Sequence, residues 1–378
     1  MSARDVVITG IGLVSCAGEG IEAHLAAYEA GEAPRTDAET YAPYPVHPVA
    51  PVALDTQIPK KSDQRQMEGW QRLGVYAAGL ALDSAGLKED AARKAALHLI
   101  VASGGGERDY AVDGAILTGL RDAENPGAYL NEHLQNDLRP TLFLAQLSNL
   151  LAGNIAIVHG VTGASRTFMG EESAGVDALR IAHARIASGQ DDAMLVGGSY
   201  NAERADVLLV HEMGGFLQKP DYRPVFSRGG EGNGGFILGS GAAFLLLETA
   251  ERAAERGARP FAVIDAIAND RVRRKPGSVA EALPRLLREA GVERPDVVLS
   301  GATGVASLTE EEAQGLKAAL PDTRIRATGD VIGHPIEAVP SFGTAIAAAL
   351  CAAGKAREVA ITSVGHRSGE GVIRVVTA

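Results

Sequence analysis

The sequence predicts an α/β fold made of two similar halves, and three observations carry that expectation. Short runs rich in Val, Ile and Leu alternate with helical patterns, as in sheets of parallel strands covered by helices. An internal echo joins the middle of the chain to its end. Residues 193–198 (AMLVGG) are followed, after an insertion, by 235–248 (GFILGSGAAFLLLE), and 359–365 (VAITSVG) are followed by 371–376 (GVIRVV). Each half thus closes with a strand, a Gly-containing loop and a last strand. Finally, 378 residues that are 46% apolar and 22% charged supply core for two or three ordinary domains or one large unit. The boundary is expected near residue 250, giving an N-terminal half at 1–250 and a C-terminal half at 251–378.

Taken in order, candidate strands fall at 6–9, 97–102, 193–196, 243–247, 261–266, 297–299 and 359–362. In the opening VVITGIGLVS, Gly10 and Gly12 follow a strand and partly resemble a dinucleotide-binding fingerprint. The third glycine position holds Ser15, so a structural tight turn is expected instead. Prolines at 34, 43, 45, 48, 51 and 59 break any period and predict a surface excursion between Gly31 and Lys60. Met67, Trp70, Leu73, Ala77 and Leu80 then recur at three- and four-residue spacing up to Gly86, the pattern of an amphipathic helix with a glycine stop. Cys16 sits at a strand end and Cys351 in an Ala-rich helix, where each reads as a small buried hydrophobe.

Composition excludes several function classes. With 47 acidic against 36 basic side chains the net charge is −11, and only 4% of residues are aromatic. A nucleic acid would meet repulsion and few stacking surfaces, so no nucleic-acid partner is expected. An acidic protein partner would need a local basic patch that the overall charge does not supply. No metal-ligand spacing, leader-like segment or membrane-length apolar run is present. The expectation is a soluble, cytoplasmic protein with no transmembrane segment, no metal and no cofactor.

The segment Gly170-Glu171-Glu172-Ser173-Ala174-Gly175 nearly matches the G-x-S-x-G nucleophile elbow but carries one residue too many. It opens a helix whose Val176, Leu179, Ile181 and Ile186 point mostly inward. Glu171 and Glu172 therefore stand at a helix N-terminus, where free N–H groups and the dipole favour carboxylates and ordinary capping accounts for them.

The runs TGIGLVS, MLVGG, GFILGSGAAFLLLE and Gly333-His334, in this order over nearly the whole chain, resemble the β-ketoacyl-acyl carrier protein synthases, the condensing enzymes of the thiolase fold. The stretch GVTGASRTFMGEESAGVDALRIAHARIASGQDDAMLVGG is similar to their nucleophile segment without a gap. Counting forward from Gly163 and back from Gly189 lands on Glu172 at the position of the nucleophilic cysteine. The resemblance implies a thiolase-like fold with two pseudo-repeated halves, each a five-stranded sheet, stacked in α-β-α-β-α layers and dimerising through central strands.

The resemblance also implies what is missing. In the family a thiolate at this helix N-terminus takes an acyl group from a carrier thioester and is attacked by the carbanion left when malonyl carrier protein loses CO₂. A carboxylate is a weak nucleophile toward a thioester, and its charge opposes the developing oxyanion. The first of two assisting histidines, in an N-A-H-G-T run, corresponds to Ser300-Gly301-Ala302-Thr303, so its imidazole is replaced at or near Gly301. The second matches His334, while the lysine five residues earlier falls at Gly329. A Gly-Phe-Gly-Gly gate becomes Gly365-His366-Arg367-Ser368. Glu172 and His334 are the expected active-site residues, with Thr303, His366 and Arg367 expected to bind substrate. His334 and Arg367 are expected to partner the buried carboxylate.

Such a site is similar to that of chain-length factors, which pair with a competent synthase and shape its acyl pocket. Ile336-Glu337-Ala338 adds a likeness to chain-length-factor-like subunits of aryl polyene and related systems. QIPKKSDQRQME, GGGERD, DLRPTLFLAQLSNLLAGNIAIVHG and SRTFMGEE bring a closer likeness to synthase-like proteins of very-long-chain fatty acid assembly for lipid A. The implied partners are acyl carrier protein and a cysteine-bearing ketosynthase in a heterodimer, or a second copy in a homodimer. The alternative is a standalone decarboxylase or thioester hydrolase that uses Glu172 as general base, since burial in an apolar tunnel raises a carboxyl pKa.

Overall fold

The computed structural model describes residues 2–33, 35–219, 222–228 and 234–378. Five strands come from the first part of the chain: β1 (Val6–Ser15), β2 (His98–Ala102), β3 (Ser165–Phe168), β4 (Ala193–Tyr200) and β5 (Gly241–Thr249). Five more follow: β6 (Ala262–Asp270), β7 (Val297–Ser300), β8 (Arg324–Ala327), β9 (Glu358–Val364) and β10 (Glu370–Val376). They lie in one mixed sheet in the order β8-β7-β9-β10-β6-β1-β5-β4-β2-β3, with the two-residue strand Gly18–Glu19 paired to β1. Outward from the central β1–β6 contact the two arrays read β1-β5-β4-β2-β3 and β6-β10-β9-β7-β8, the same order twice. The senses repeat too. Pairs nearest the junction are antiparallel, and the outer pairs are parallel.

Among the described residues the arrays pair only where Val6, Val7 and Ile8 meet Ile264, Val263 and Ala262, and helices fill the space between them. α1 (Gly69–Ser84) and α2 (Leu150–His159) cover one outer face, α3 (Glu172–Ala187) and α6 (Val339–Ala352) lie between the arrays, and α4 (Ser278–Glu289) and α5 (Ala306–Ala319) cover the other outer face. This is the α-β-α-β-α stack the resemblance implies. The central layer joins Ala178, Leu179 and Ile186 of α3 and Phe342, Ala345 and Ile346 of α6 to Ile100, Val196 and Leu245 on one side and Leu299, Ile361 and Ile373 on the other. All belong to one buried cluster, and apolar area removed from water stabilises such a layer at about 25 cal/mol per Å².

Several expectations change on contact with the structure. Gly10 and Gly12 form no turn, because β1 runs straight through them to Ser15. Their role is to admit α1. A Cβ at Gly12 would overlap the Ala77 carbonyl oxygen and come within 2.6 Å of the Ala81 nitrogen, and one at Gly10 would overlap the Ala81 carbonyl oxygen. The proline-rich stretch is not wholly superficial: Val46 and His47 are buried and pair in parallel with Leu238 and Gly239. α1 forms as expected, its start fixed by a reciprocal Glu68–Gln71 capping box and its end followed by Gly86 at φ +70°. β3 and β8 escaped prediction because they are sheet edges with sequences SRTF and RIRA, half-exposed and without an apolar run.

Gly12→Ala is expected to lower stability by about 1–3 kcal/mol, since the inserted methyl meets backbone rather than a flexible side chain. Thermal unfolding of the variant tests this, and an unchanged Tm would show that α1 does not need this approach.

Candidate active site

β3 leads into α3 through Gly170 at φ +128° and Glu171 at φ 64°, ψ −142°. A non-glycine residue in this region costs on the order of 1–3 kcal/mol and persists only where its surroundings enforce it. The sequence's near-match to an elbow is therefore a real sharp turn, with Glu172 as the first helical residue. Ser173 is not its nucleophile: its hydroxyl donates back to the Gly170 carbonyl at 2.7 Å.

Glu172 is completely buried. His334 Nε2 lies 2.8 Å from its Oε1, and His366 Nδ1 lies 3.0 Å from each of its oxygens. The His366 backbone N–H donates a long fourth bond of 3.4 Å to Oε2. Each imidazole is held by aromatic neighbours. His334 stacks on Phe236 with centroids 5.0 Å apart, and His366 stands edge-on to Phe236 and Phe216 at 4.9 and 4.8 Å. His366 Nε2 sits 3.1 Å from Glu171 Oε1, off the hydrogen-bonding direction. The order of groups is thus Glu171, His366, Glu172, His334, alternating acid and base.

Burial by itself would raise the Glu172 pKa, but the hydrogen bonds from His334 and His366 outweigh it and hold the carboxyl well below the usual range. Burial likewise opposes a charge on His366, yet the adjoining Glu171 carboxylate and the hydrogen bonds to Glu172 raise it to about 9. The site at neutral pH is a carboxylate held between the His334 and His366 rings, the latter protonated. Glu337 is also buried, and burial together with the negative charges of Glu172 and Glu171 pushes its carboxyl up to about 7.

The structure brings Glu172, His334 and His366 together but places Arg367 elsewhere. Arg367 is 53% exposed and pairs at 3.4 Å with Glu171 instead of Glu172, because its side chain leaves toward solvent over the Phe216 ring. Thr303 is buried and its hydroxyl accepts the Val305 N–H at 3.1 Å, with no bond to the cluster. No imidazole stands in 300–304, and a Cβ at Gly301 would lie 2.7 Å from the Thr362 carbonyl oxygen and 2.9 Å from Val339. His211, Phe216, Phe236 and Glu337 belong to the site region without having been expected there, and Glu171, read only as an ordinary helix-terminal carboxylate, joins them. Only the Ile336-Glu337-Ala338 stretch carried a signal, and it was one of likeness, not of position. Glu171, Glu172 and His366 bring ligand-capable atoms within 4.8 Å of one another, and the two ring nitrogens of His366 face different carboxylates. Among the described residues no helix is long and apolar enough to cross a membrane.

A doubled five-strand array with a strained elbow at the start of its central helix defines the condensing-enzyme class, here with a carboxylate where the acyl-accepting thiolate belongs. The chain belongs to the β-ketoacyl synthase family: the family profile "Beta-ketoacyl synthase, N-terminal domain" matches residues 3–253. It is 26% identical over 367 residues to 3-oxoacyl-[acyl-carrier-protein] synthase 2 of Vibrio cholerae, covering 90% of this chain and 84% of that one. It is 29% identical over 328 residues to the tetracenomycin polyketide synthase ketoacyl synthase beta subunit of Streptomyces glaucescens, covering 82% and 76%. Among solved structures it is similar to the ishigamide ketosynthase/chain length factor, with TM-score 0.82, 22% identity and 100% of both chains covered. A β-ketoacyl synthase from Burkholderia phymatum gives TM-score 0.80 and 18% identity over 99% of both chains. These structural likenesses establish the fold, and Glu172 leaves the chain without the thiolate of condensation.

Glu172→Gln is expected to cost roughly 3–5 kcal/mol near neutral pH by unpairing two buried imidazoles. Because the His366 pKa rises from 6.5 to about 9 in the fold, its share of this stability is complete below pH 6.5 and is lost as pH climbs through about 9. The depressed Glu172 contributes above its ordinary 4.5 and loses its share only in acid. Denaturant unfolding across pH should therefore show the gap between the two proteins widest near pH 5–6, narrowing from about pH 6.5 to about 9 and level above that. A gap independent of pH would contradict the pairing.

Proposed function

We propose that this chain is a catalytically silent, chain-length-factor-like subunit that pairs with a cysteine-bearing ketosynthase and meets acyl carrier protein at that assembly. The observation that carries the reading is Glu172 at the nucleophile position, sealed by His334 and His366. Neither cysteine offers a substitute. Burial pushes the Cys16 thiol up to about 12 and the Cys351 thiol up to about 11.

Support for a partner comes from the surface around β3. Among the described residues this strand leaves one edge unpaired, and Met169 just after it and Phe143, Leu144, Leu147 and Ile157 in the helical segment before it are exposed, Ile157 to 74% and Met169 to 65%. An open edge beside exposed apolar side chains favours association. The relatives named as a polyketide synthase beta subunit and as a ketosynthase/chain length factor point the same way. For the carrier, the exposed Arg271, Arg273 and Lys275 form a local basic segment on an otherwise acidic chain, and Arg271 reaches to 3.5 Å from Ser173, next to Glu172. The sequence likeness to very-long-chain acyl assembly for lipid A supports that pathway. A methylene tail against Glu172 would gain only ~0.8 kcal/mol per CH₂ while disturbing a buried charge, so the growing chain belongs in the partner's pocket.

The rival role of Glu172 as general base is disfavoured by its depressed pKa and its two imidazole partners, which leave a weak and occupied base.

Co-expression with a cysteine-bearing synthase followed by affinity capture is expected to recover a stable heterodimer, and recovery of only the homodimer would overturn the pairing. Incubated alone with acyl carrier protein thioester, the chain should gain no acyl mass. An adduct on Cys16 or Cys351, or CO₂ release from malonyl carrier protein that Glu172→Ala abolishes, would restore an enzymatic role.

A further inference from the structure

The His366 ring is satisfied on one side only. Its Nδ1 lies 3.0 Å from both oxygens of the buried Glu172 carboxylate, whose Oε1 is also 2.8 Å from His334 Nε2. These contacts fix the ring in place. Its other nitrogen, Nε2, is buried and has no hydrogen-bond partner among the described residues. Leaving such an atom unpaired costs about 1–3 kcal/mol. Glu171 Oε1 stands 3.1 Å from it, but off the N–H direction.

That contact is poorly aligned for a proton and well spaced for an ion. A hydrogen bond needs donor, hydrogen and acceptor near one line. Two ligands on one zinc-like ion, each ~2.1 Å from it, stand ~3.0–3.4 Å apart with the ion off the line between them. Imidazoles that hold a metal also give their second ring N–H to a carboxylate, which sets the tautomer and the direction of the ring. Glu172 occupies that place on His366. Ligand-capable atoms of Glu171, Glu172 and His366 all lie within 4.8 Å of one another. A route in exists as well, since the Glu171 side chain is 27% exposed and lines a cavity of about 290 Å³ between the start of α1, the loop after β2 and the end of β4. We propose that Glu171 and His366 Nε2 bind a zinc-like divalent transition-metal ion, with Glu172 orienting the ring from its far side and water from the cavity completing the shell. The ion takes the place of the Nε2 proton, which passes to solvent, and draws Glu171 away from Arg367, 3.4 Å from it in the metal-free protein. An imidazole ligand favours zinc or cobalt over the hard magnesium and calcium ions. The site is independent of any pairing with a synthase, because every group in it belongs to this chain.

Full-length, tag-free protein, stripped of metal by dialysis against a chelator, would be titrated with zinc by calorimetry and with cobalt, whose visible absorption reports its ligands. One zinc per chain is expected, with magnesium binding at least roughly tenfold more weakly. Glu171→Gln keeps the contacts between Glu172 and His366 and should weaken zinc at least roughly tenfold while the metal-free melting temperature is retained. Arg367→Ala removes the competing cation and should tighten zinc by roughly two- to fivefold, the worth of an exposed ion pair. Zinc held elsewhere on the surface would respond to neither substitution. Should Glu171→Gln not fold, the tightening by Arg367→Ala decides alone. Absence of zinc binding, zinc binding undiminished by Glu171→Gln, equal affinity for magnesium, or no tightening by Arg367→Ala would each overturn the proposal.

Discussion

The buried carboxylate of Glu172 sets the terms for everything around it. An isolated carboxylate in an interior is several kcal/mol out of balance, so the chain must supply donors from whatever elements pass nearby. It does so from two places far apart in sequence, His334 just before α6 and His366 in the turn between β9 and β10. Those rings in turn need apolar slots, and Phe236 and Phe216 provide them. Each partner thus requires the next. The result is a closed circuit of charge at the position where the family resemblance implies a thiolate.

Glu171 links this circuit to the neighbouring cavity. Its backbone is forced to positive φ so that its carboxylate faces His366 and Arg367 on one side while its residue lines the void on the other. Strain at one position thereby serves two surroundings, a familiar use of an energetically costly turn.

Much of this was legible in the sequence, and the failures have physical causes. The doubled α/β plan followed from apolar runs and from the echo between 193–248 and 359–376, because buried strands must be apolar whatever else they do. Glu172, His334 and His366 could be placed by likeness, since they stand within gapless motifs. Arg367 shared such a motif, but a motif fixes the order of residues and not the direction in which a long side chain leaves the backbone. Gly10 and Gly12 read as a turn because a glycine pair has the same sequence whether it bends a chain or clears space for a helix. β3 and β8 were silent because an edge strand is half in water. His211 and Glu337 were invisible as site members because their neighbours come from separate elements.

The place of β1 in the sheet has a consequence for how the chain is made. It is made well before its two long pairing partners, β5 and β6, so that Val6 waits for Thr249 on one side and Ile264 on the other. An apolar ten-residue strand, buried along its whole length in the finished protein, stays without those neighbours until residues 241–270 have been made. Long-range pairing of this kind slows folding and prolongs exposure to aggregation. The central strand that unites the two halves is therefore also the segment for which a nascent chain most needs a chaperone's shelter.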